Sequence, residues 1–309
     1  MEQRELADHF EVVVMYRQDV FVIAVISTKK PLYEEENTMK MMFLGTAGAE
    51  GWPGVFCGCE YCQKARSRGG KNIRTRASVL INEDILIDLP PDTYMHSLKY
   101  NIDLSKIRHL FITHSHQDHF YPEELHMRTE PFAHLPQDAI LNIYGNSKVI
   151  EKIKNVVNIE KAKINVNEIH PFETLKGEGF ILTALLANHA QEEEDALLYI
   201  ITTEGKTIFY GHDSGWYPEK TWKYLSENHI DIAIFDCTFG KNNQKKGHMG
   251  ISGIIEAKDA LEKFGSIDTK SICIATHFSH NGGLLHHELE EILNKHGFLV
   301  AYDGMILTE

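Results

Sequence analysis

The sequence is poor in cysteine, in basic charge and in long apolar runs, and each shortage removes a class of explanation. Five cysteines in 309 residues do not make a disulfide framework. A reducing compartment, the cytoplasm, is therefore expected. Three of the five are packed into Cys57-Gly58-Cys59-Glu60-Tyr61-Cys62 and read as metal ligands, whereas Cys237 and Cys273 sit singly inside apolar runs and read as small buried hydrophobes. Lysine and arginine number 31 against 44 acidic residues, a formal net charge of −13. Nucleic acid and anionic membranes select surfaces of the opposite sign, so neither is an expected partner. An anionic ligand would have to be drawn in locally, as metal ions do. The apolar stretch over 12–26 is broken by Arg17 and Asp19 and preceded by Glu2 and Glu5, which fits neither a signal peptide nor a membrane span. No Walker lysine or dinucleotide pattern follows the glycine-rich Gly45-Thr46-Ala47-Gly48-Ala49-Glu50-Gly51, so no nucleotide cofactor is expected.

What is there suffices for a large core, with 43% hydrophobic residues. Residues 1–38 read as an appendage: β-rich runs at 10–15 and 20–26 suggest a hairpin, and a charged linker follows it. Residues 39–309 read as one domain. A short strand at 41–44 runs into the glycine-rich loop, and strands at 77–81 and 84–88 read as a hairpin across Asn82-Glu83. From 140 onward strands at 140–144, 180–186, 197–202, 207–210, 232–235, 271–275 and 298–301 alternate with helices at 147–157, 218–226, 253–264 and 285–295. Pro122-Glu123-Glu124-Leu125 reads as a helix opening. Sheets covered by helices are expected.

The strand expected over 107–112 runs into His114-Ser115-His116-Gln117-Asp118-His119. Side chains two apart on a strand share a side, so His114 and His116 can grip one ion while the following turn offers Asp118 and His119 to a second. Imidazole and carboxylate suit zinc, manganese or iron, and paired ions are a recurring device for cleaving phosphoesters. Strand ends are where the remaining ligands belong, and His189, Asp213 and His277 each follow an apolar run.

This set resembles the HxHxDH signature of the metallo-β-lactamase-fold hydrolases. Cys57-x-Cys59-x-x-Cys62 behind Gly45-Thr46-Ala47-Gly48, with Thr276-His277-Phe278-Ser279-His280 and Tyr302-Asp303-Gly304-Met305, narrows the resemblance to the PhnP family of phosphoribosyl cyclic phosphodiesterases. The resemblance implies an αββα sandwich in which His114, His116 and His189 hold one divalent ion, zinc or manganese. Asp118, His119 and His277 would hold the other, and Asp213 would bridge them. Cys57, Cys59, Cys62 and His280 would form a separate structural zinc site, whose three thiolates leave no open position for chemistry. Asp118 and His248 are the expected catalytic residues: a hydroxide bridging the ions attacks phosphorus, and His248 protonates the departing alkoxide. Asp88 would orient the metal loop, and His212 is set aside as a decoy.

The expected substrate is a small, cyclic phosphodiester, and a second copy of the chain is a further candidate partner. Alternatives are a ribonuclease Z-type nuclease, a lactamase or thioesterase, and a PqqB-like cofactor-biosynthesis protein. Two features depart from the family: residues 1–38, and the acidic run Gln191-Glu192-Glu193-Glu194-Asp195. The run follows His189 directly, and its four carboxylates are expected to face the incoming substrate and disfavour a highly charged one.

Overall fold

The structure is a computed structural model that describes residues 38–309 and, by backbone alone, the strands β1 (Phe10–Arg17) and β2 (Val20–Ser27). These two pair antiparallel, from Phe10 against Ser27 to Arg17 against Val20. The charged linker at 28–37 lies outside the described residues. The chain divides into two compact units, Met1–Thr38 and Met39–Glu309.

The larger unit holds β3 (Lys40–Gly45), α1 (Glu60–Arg68), β4 (Ser78–Ile81), β5 (Ile85–Ile87), α2 (Thr93–Tyr100), β6 (His109–Phe111), β7 (Leu141–Gly145), α3 (Ser147–Val156), β8 (Ile164–Glu168), β9 (Thr174–Lys176), β10 (Ile181–Leu186), β11 (Leu197–Thr203), β12 (Lys206–Gly211), α4 (Glu219–Ser226), β13 (Ile232–Asp236), α5 (Ile251–Phe264), β14 (Ile272–Thr276), α6 (His286–Leu293), β15 (Phe298–Val300) and β16 (Met305–Thr308). Two seven-stranded sheets result, in the orders β16-β3-β4-β5-β6-β7-β8 and β15-β14-β13-β12-β11-β10-β9. Each begins antiparallel, through the tight β4-β5 hairpin in one sheet and the β9-β10-β11-β12 meander in the other, and turns parallel at β5-β6-β7-β8 and at β12-β13-β14-β15.

Alternation along the strands divides the core into layers. Val79, Ile81, Ile85, Ile87 and Phe111 of one sheet meet Tyr199, Ile201, Ile208, Tyr210, Ile232 and Ile234 of the other between the sheets. Their neighbours Leu80, Leu86, Leu110 and Ile143 face outward onto Val149, Ile150 and Ile153 of α3. On the opposite outer face Leu198, Phe209, Phe235 and Cys273 pack beneath α4, α5 and α6. Both faces of each sheet are covered, which is why the runs read as continuously apolar. This is the αββα sandwich expected from the sequence.

The structure corrects several boundaries. The segment at Pro122 is a 3-10 helix, Pro122–Arg128, and not an α-helix. Tyr121 is tied to Leu89 on one side, and the amide and hydroxyl of Thr129 both return to the carbonyl of His126 on the other, which fixes the tighter pitch. Strands β8, β9 and β16 were not expected; each is a sheet edge with exposed, polar positions that blur alternation. Helix α1 lacked a signal because only Cys62 and Ala65 of it are buried.

Candidate metal centre

The parallel strands of both sheets end at one rim, and the polar residues beyond their carboxyl ends converge there, as in open α/β sheets generally. Asp88 follows β5, the His114 loop follows β6, Asp213 follows β12, Asp236 ends β13 and His277 follows β14. Asp88, Asp213 and His277 adopt positive φ, 61°, 56° and 59°. Such conformations are unfavourable for residues with a Cβ and persist where the surroundings impose them.

His114 Nε2 lies 3.0 Å and His189 Nε2 3.1 Å from His116 Nδ1. Nitrogens bound about 2.0–2.1 Å from one tetrahedral ion sit about 3.3–3.4 Å apart, so this spacing fits a shared cation. Protons serve it poorly, because one nitrogen faces two others. Beside this trio, His119 Nε2 is 3.2 Å from His277 Nε2 and 3.2 Å from Asp118 Oδ2. Asp213 Oδ2 stands between the sets, 3.3 Å from His114 Nε2, 3.0 Å from His119 Nε2 and 3.8 Å from His277 Nε2. One carboxylate oxygen thus reaches both.

The far nitrogens of these rings are occupied. His119 Nδ1 meets Asp88 Oδ2 at 2.7 Å, His277 Nδ1 meets Thr238 Oγ1 at 2.8 Å, and His189 Nδ1 donates to the carbonyl of Gly247 at 3.2 Å. Asp88 in turn accepts the amide of Thr113 at 2.8 Å. Partners of this kind fix ring orientation and tautomer in metal sites. Gly48 sits so close to His277 that a Cβ there would lie 3.3 Å from its Cε1.

The electrostatics match. Burial, aided by the neighbouring His119, holds His114 well below its ordinary pKa, and burial also lowers His277. Asp213 is held well below the carboxylate range although burial opposes this, because His277, His189 and His119 surround it. His119 is drawn well above its ordinary value against burial by Asp118 and Asp88. Buried carboxylates here demand positive charge, which a divalent ion supplies more fully than a proton.

Cys57, Cys59, Cys62 and His280 form a second, separate group. His280 Nδ1 lies 3.4 Å from Cys59 Sγ and 3.9 Å from Cys57 Sγ, and the sulfurs of Cys57, Cys59 and Cys62 accept the amides of Cys59, Cys62 and Gly54 at 3.3–3.5 Å. Cys59 caps α1. Burial works against its ionisation, but the amide of Cys62 and bonds from Cys57, Cys62 and His280 bring its thiol down to about 7.

His248 Nδ1 lies 2.9 Å from Asp236 Oδ2 and 3.0 Å from Asp213 Oδ1. Burial opposes its charge, yet these two carboxylates push its pKa up to about 11. Asp236, fully buried, carries the family resemblance with Cys237 but is given no role by the sequence; its Oδ1 accepts the amides of Thr238 and Met249 at 2.9 and 3.2 Å. Its place at a strand end was the available signal. His212 is fully buried between His119 and His277, with neither ring nitrogen hydrogen-bonded. The acidic run is not uniform: Glu194 is turned onto Ser115, whereas Glu192 and Glu193 line a cavity of about 270 Å³ beside His189.

The model of the beta-lactamase superfamily domain matches residues 83–278, more than half of the sequence. The chain belongs to the beta-lactamase superfamily. Within it, ribonuclease Z of Listeria innocua is 30% identical over 122 residues, 37% of this chain and 39% of that protein. The chain thus spans about two fifths of the length of such curated relatives. Among solved structures, a diphosphatase from the PhnP family superposes with a TM-score of 0.69 at 23% identity, covering 87% of this chain and 97% of its own. Zinc-bound PqqB from Methylobacterium extorquens superposes with a TM-score of 0.68 at 18% identity, covering 87% and 99%. These two likenesses concern the fold. The divalent ions that the superfamily fold implies fit the donor sets of this member.

Proposed function

We propose that this chain is a metal-dependent phosphodiesterase acting on a small, cyclic phosphodiester, as in the PhnP family. The observation that supports this most directly is Asp213, whose Oδ2 joins two ligand sets while its Oδ1 faces His248 at 3.0 Å. His114, His116 and His189 would hold one ion and Asp118, His119 and His277 the other. Such a pair supplies charge neutralisation for phosphate oxygens and lowers the pKa of water. The remaining work belongs to side chains. Asp236 accepts the Nδ1–H of His248 and is itself pinned by the amides of Thr238 and Met249, which leaves Nε2 free to pass a proton to a departing alkoxide. Were Asp213 shared with bound cations, its hold on the charged form of His248 would weaken and His248 would be a readier acid. The adjoining cavity, about 270 Å³ and bounded by Asn188, His189, Glu192, Glu193 and Lys246, has the size of a small molecule.

A second reading, a ribonuclease, is favoured by the ribonuclease Z relatives and opposed by the net charge of −13. Purified full-length protein, loaded with zinc or manganese, should be assayed against a cyclic sugar phosphodiester, a linear phosphodiester, a phosphoanhydride, a lactam and a structured RNA. The cyclic diester should give the highest kcat/KM. Preferential cleavage of the RNA would favour the nuclease, and preferential opening of the lactam would remove phosphorus chemistry from the account.

A further inference from the structure

Ser115 lies between the ligands His114 and His116, and each of its polar groups is held by a charged side chain from elsewhere in the chain. Its amide donates to Glu194, 3.0 Å from Oε2 and 3.2 Å from Oε1, and its hydroxyl donates to Oε1 at 2.6 Å. Its carbonyl accepts the Lys152 ammonium. The carboxylate thus sits on the N–H side of the residue and the ammonium on the C=O side, both making charge-assisted bonds. Glu194 is itself braced. Asn146 Nδ2 donates to its Oε2 at 2.8 Å and to the carbonyl of Asp195 at 2.9 Å, while Asn146 Oδ1 caps α3 by accepting the amide of Val149 at 3.0 Å. Lys152 belongs to that same helix.

Strand pairing does not do this job. β6 ends at Phe111, so the backbone that spaces His114 and His116 lies beyond the ladder. Acidic side chains next to a metal centre would ordinarily be read as a charged rim, and Glu192 and Glu193 fill that part at the cavity. Glu194 instead spends both oxygens inside the protein.

We propose that Glu194 is the positioning residue of the first metal site. With Lys152 it clamps Ser115, and so sets the separation at which His114 Nε2 and His116 Nδ1 meet His189. The clamp also joins the two halves of the sandwich at the rim, since α3 covers one sheet and the Glu194 loop connects β10 and β11 of the other. The inference rests on the reading of His114, His116 and His189 as ligands of one ion.

Cobalt(II) titrated into metal-free full-length protein tests it, since d–d absorption reports the two histidine-rich sites and thiolate charge transfer reports the cysteine site. Glu194→Ala should weaken cobalt binding at the first site by about 10–100-fold, the usual cost of losing an outer partner of a ligand. Binding at the other two sites should be unchanged. Glu194→Gln, which keeps an oxygen for one Ser115 bond, should recover part of the loss. Glu193→Gln is the control for charge alone, because Glu193 Oε2 stands 3.9 Å from His116 Nε2 without touching Ser115. Equal weakening in Glu193→Gln and Glu194→Ala, or none in Glu194→Ala, would overturn the clamp. If Glu194→Ala does not fold, Lys152→Ala probes the opposite jaw and should give the same selective loss; unchanged binding there would equally overturn it. Wild-type protein that takes up cobalt only at the cysteines would refute the metal centre itself and not merely the clamp.

Discussion

Replacing His248 by alanine separates proton donation from phosphate binding. In the structure its Nδ1 is committed to Asp236 at 2.9 Å and to Asp213 at 3.0 Å, so Nε2 is the atom available to a leaving group. Positioned proton transfer is worth about 10²–10⁴-fold, or about 2.7–5.5 kcal/mol of barrier, and that loss is expected on a cyclic sugar phosphodiester whose alkoxide departs poorly. A nitrophenyl phosphodiester expels a stable anion that needs no proton, and on it the loss should be small. Asp236→Asn should shift both substrates in the same sense as His248→Ala, because an amide facing Nδ1 no longer enforces the tautomer. The assay is kcat/KM for both substrates across the three proteins. Equal losses on the two substrates would mean that His248 binds phosphate, since a binding contact penalises both alike. The proton would then have to come from water or another histidine.

Three further outcomes are expected. Protein purified without chelator should carry three metal ions per chain by elemental analysis, one of them zinc on the thiolates, and Cys59→Ser should lower thermal stability more than it changes kcat; two ions or fewer in fully active protein would count against the cysteine site. Asp213→Ala and His116→Ala should each reduce hydrolysis by more than about 10³-fold, the scale of losing a principal electrostatic stabiliser, and residual activity above a tenth of wild type would show that the centre lies elsewhere. In metal-free protein the folded pKa of His248 is raised toward about 11, so the stability it lends is present in full below about pH 6.5 and is lost as pH rises through the folded value. The difference in denaturation midpoint between wild type and His248→Ala should therefore narrow from about pH 6 to about pH 10, and a widening difference would contradict the assignment.

The sandwich was legible because its strands are long, apolar and punctuated. Runs such as Leu197–Thr203 and Ile232–Asp236 are buried on both faces, so their hydrophobicity is continuous and strong. The edge strands β8, β9 and β16 carried no such signal, since half their positions meet solvent and pairing with a neighbour, not burial, makes them strands. The His114–His119 stretch stands out in the sequence by itself because its imidazoles and carboxylates are local in the chain and of types that suit a metal ion, and the cysteine cluster stands out for the same reason.

The sequence by itself determined which donor types this protein offers and that they lie at strand ends. Only the tertiary structure decided which of them meet. Asp213 and Asp236 look alike in the chain, each a carboxylate after an apolar strand, yet Asp213 Oδ2 stands among the histidines while Asp236 is tied down by two amides and faces His248. Glu194 looks like one member of an acidic run, yet its carboxylate is turned inward onto Ser115. Neither distinction is written in neighbouring residues: each depends on where a segment far along the chain places its amide, hydroxyl or imidazole, and only folding brings those groups within hydrogen-bonding distance.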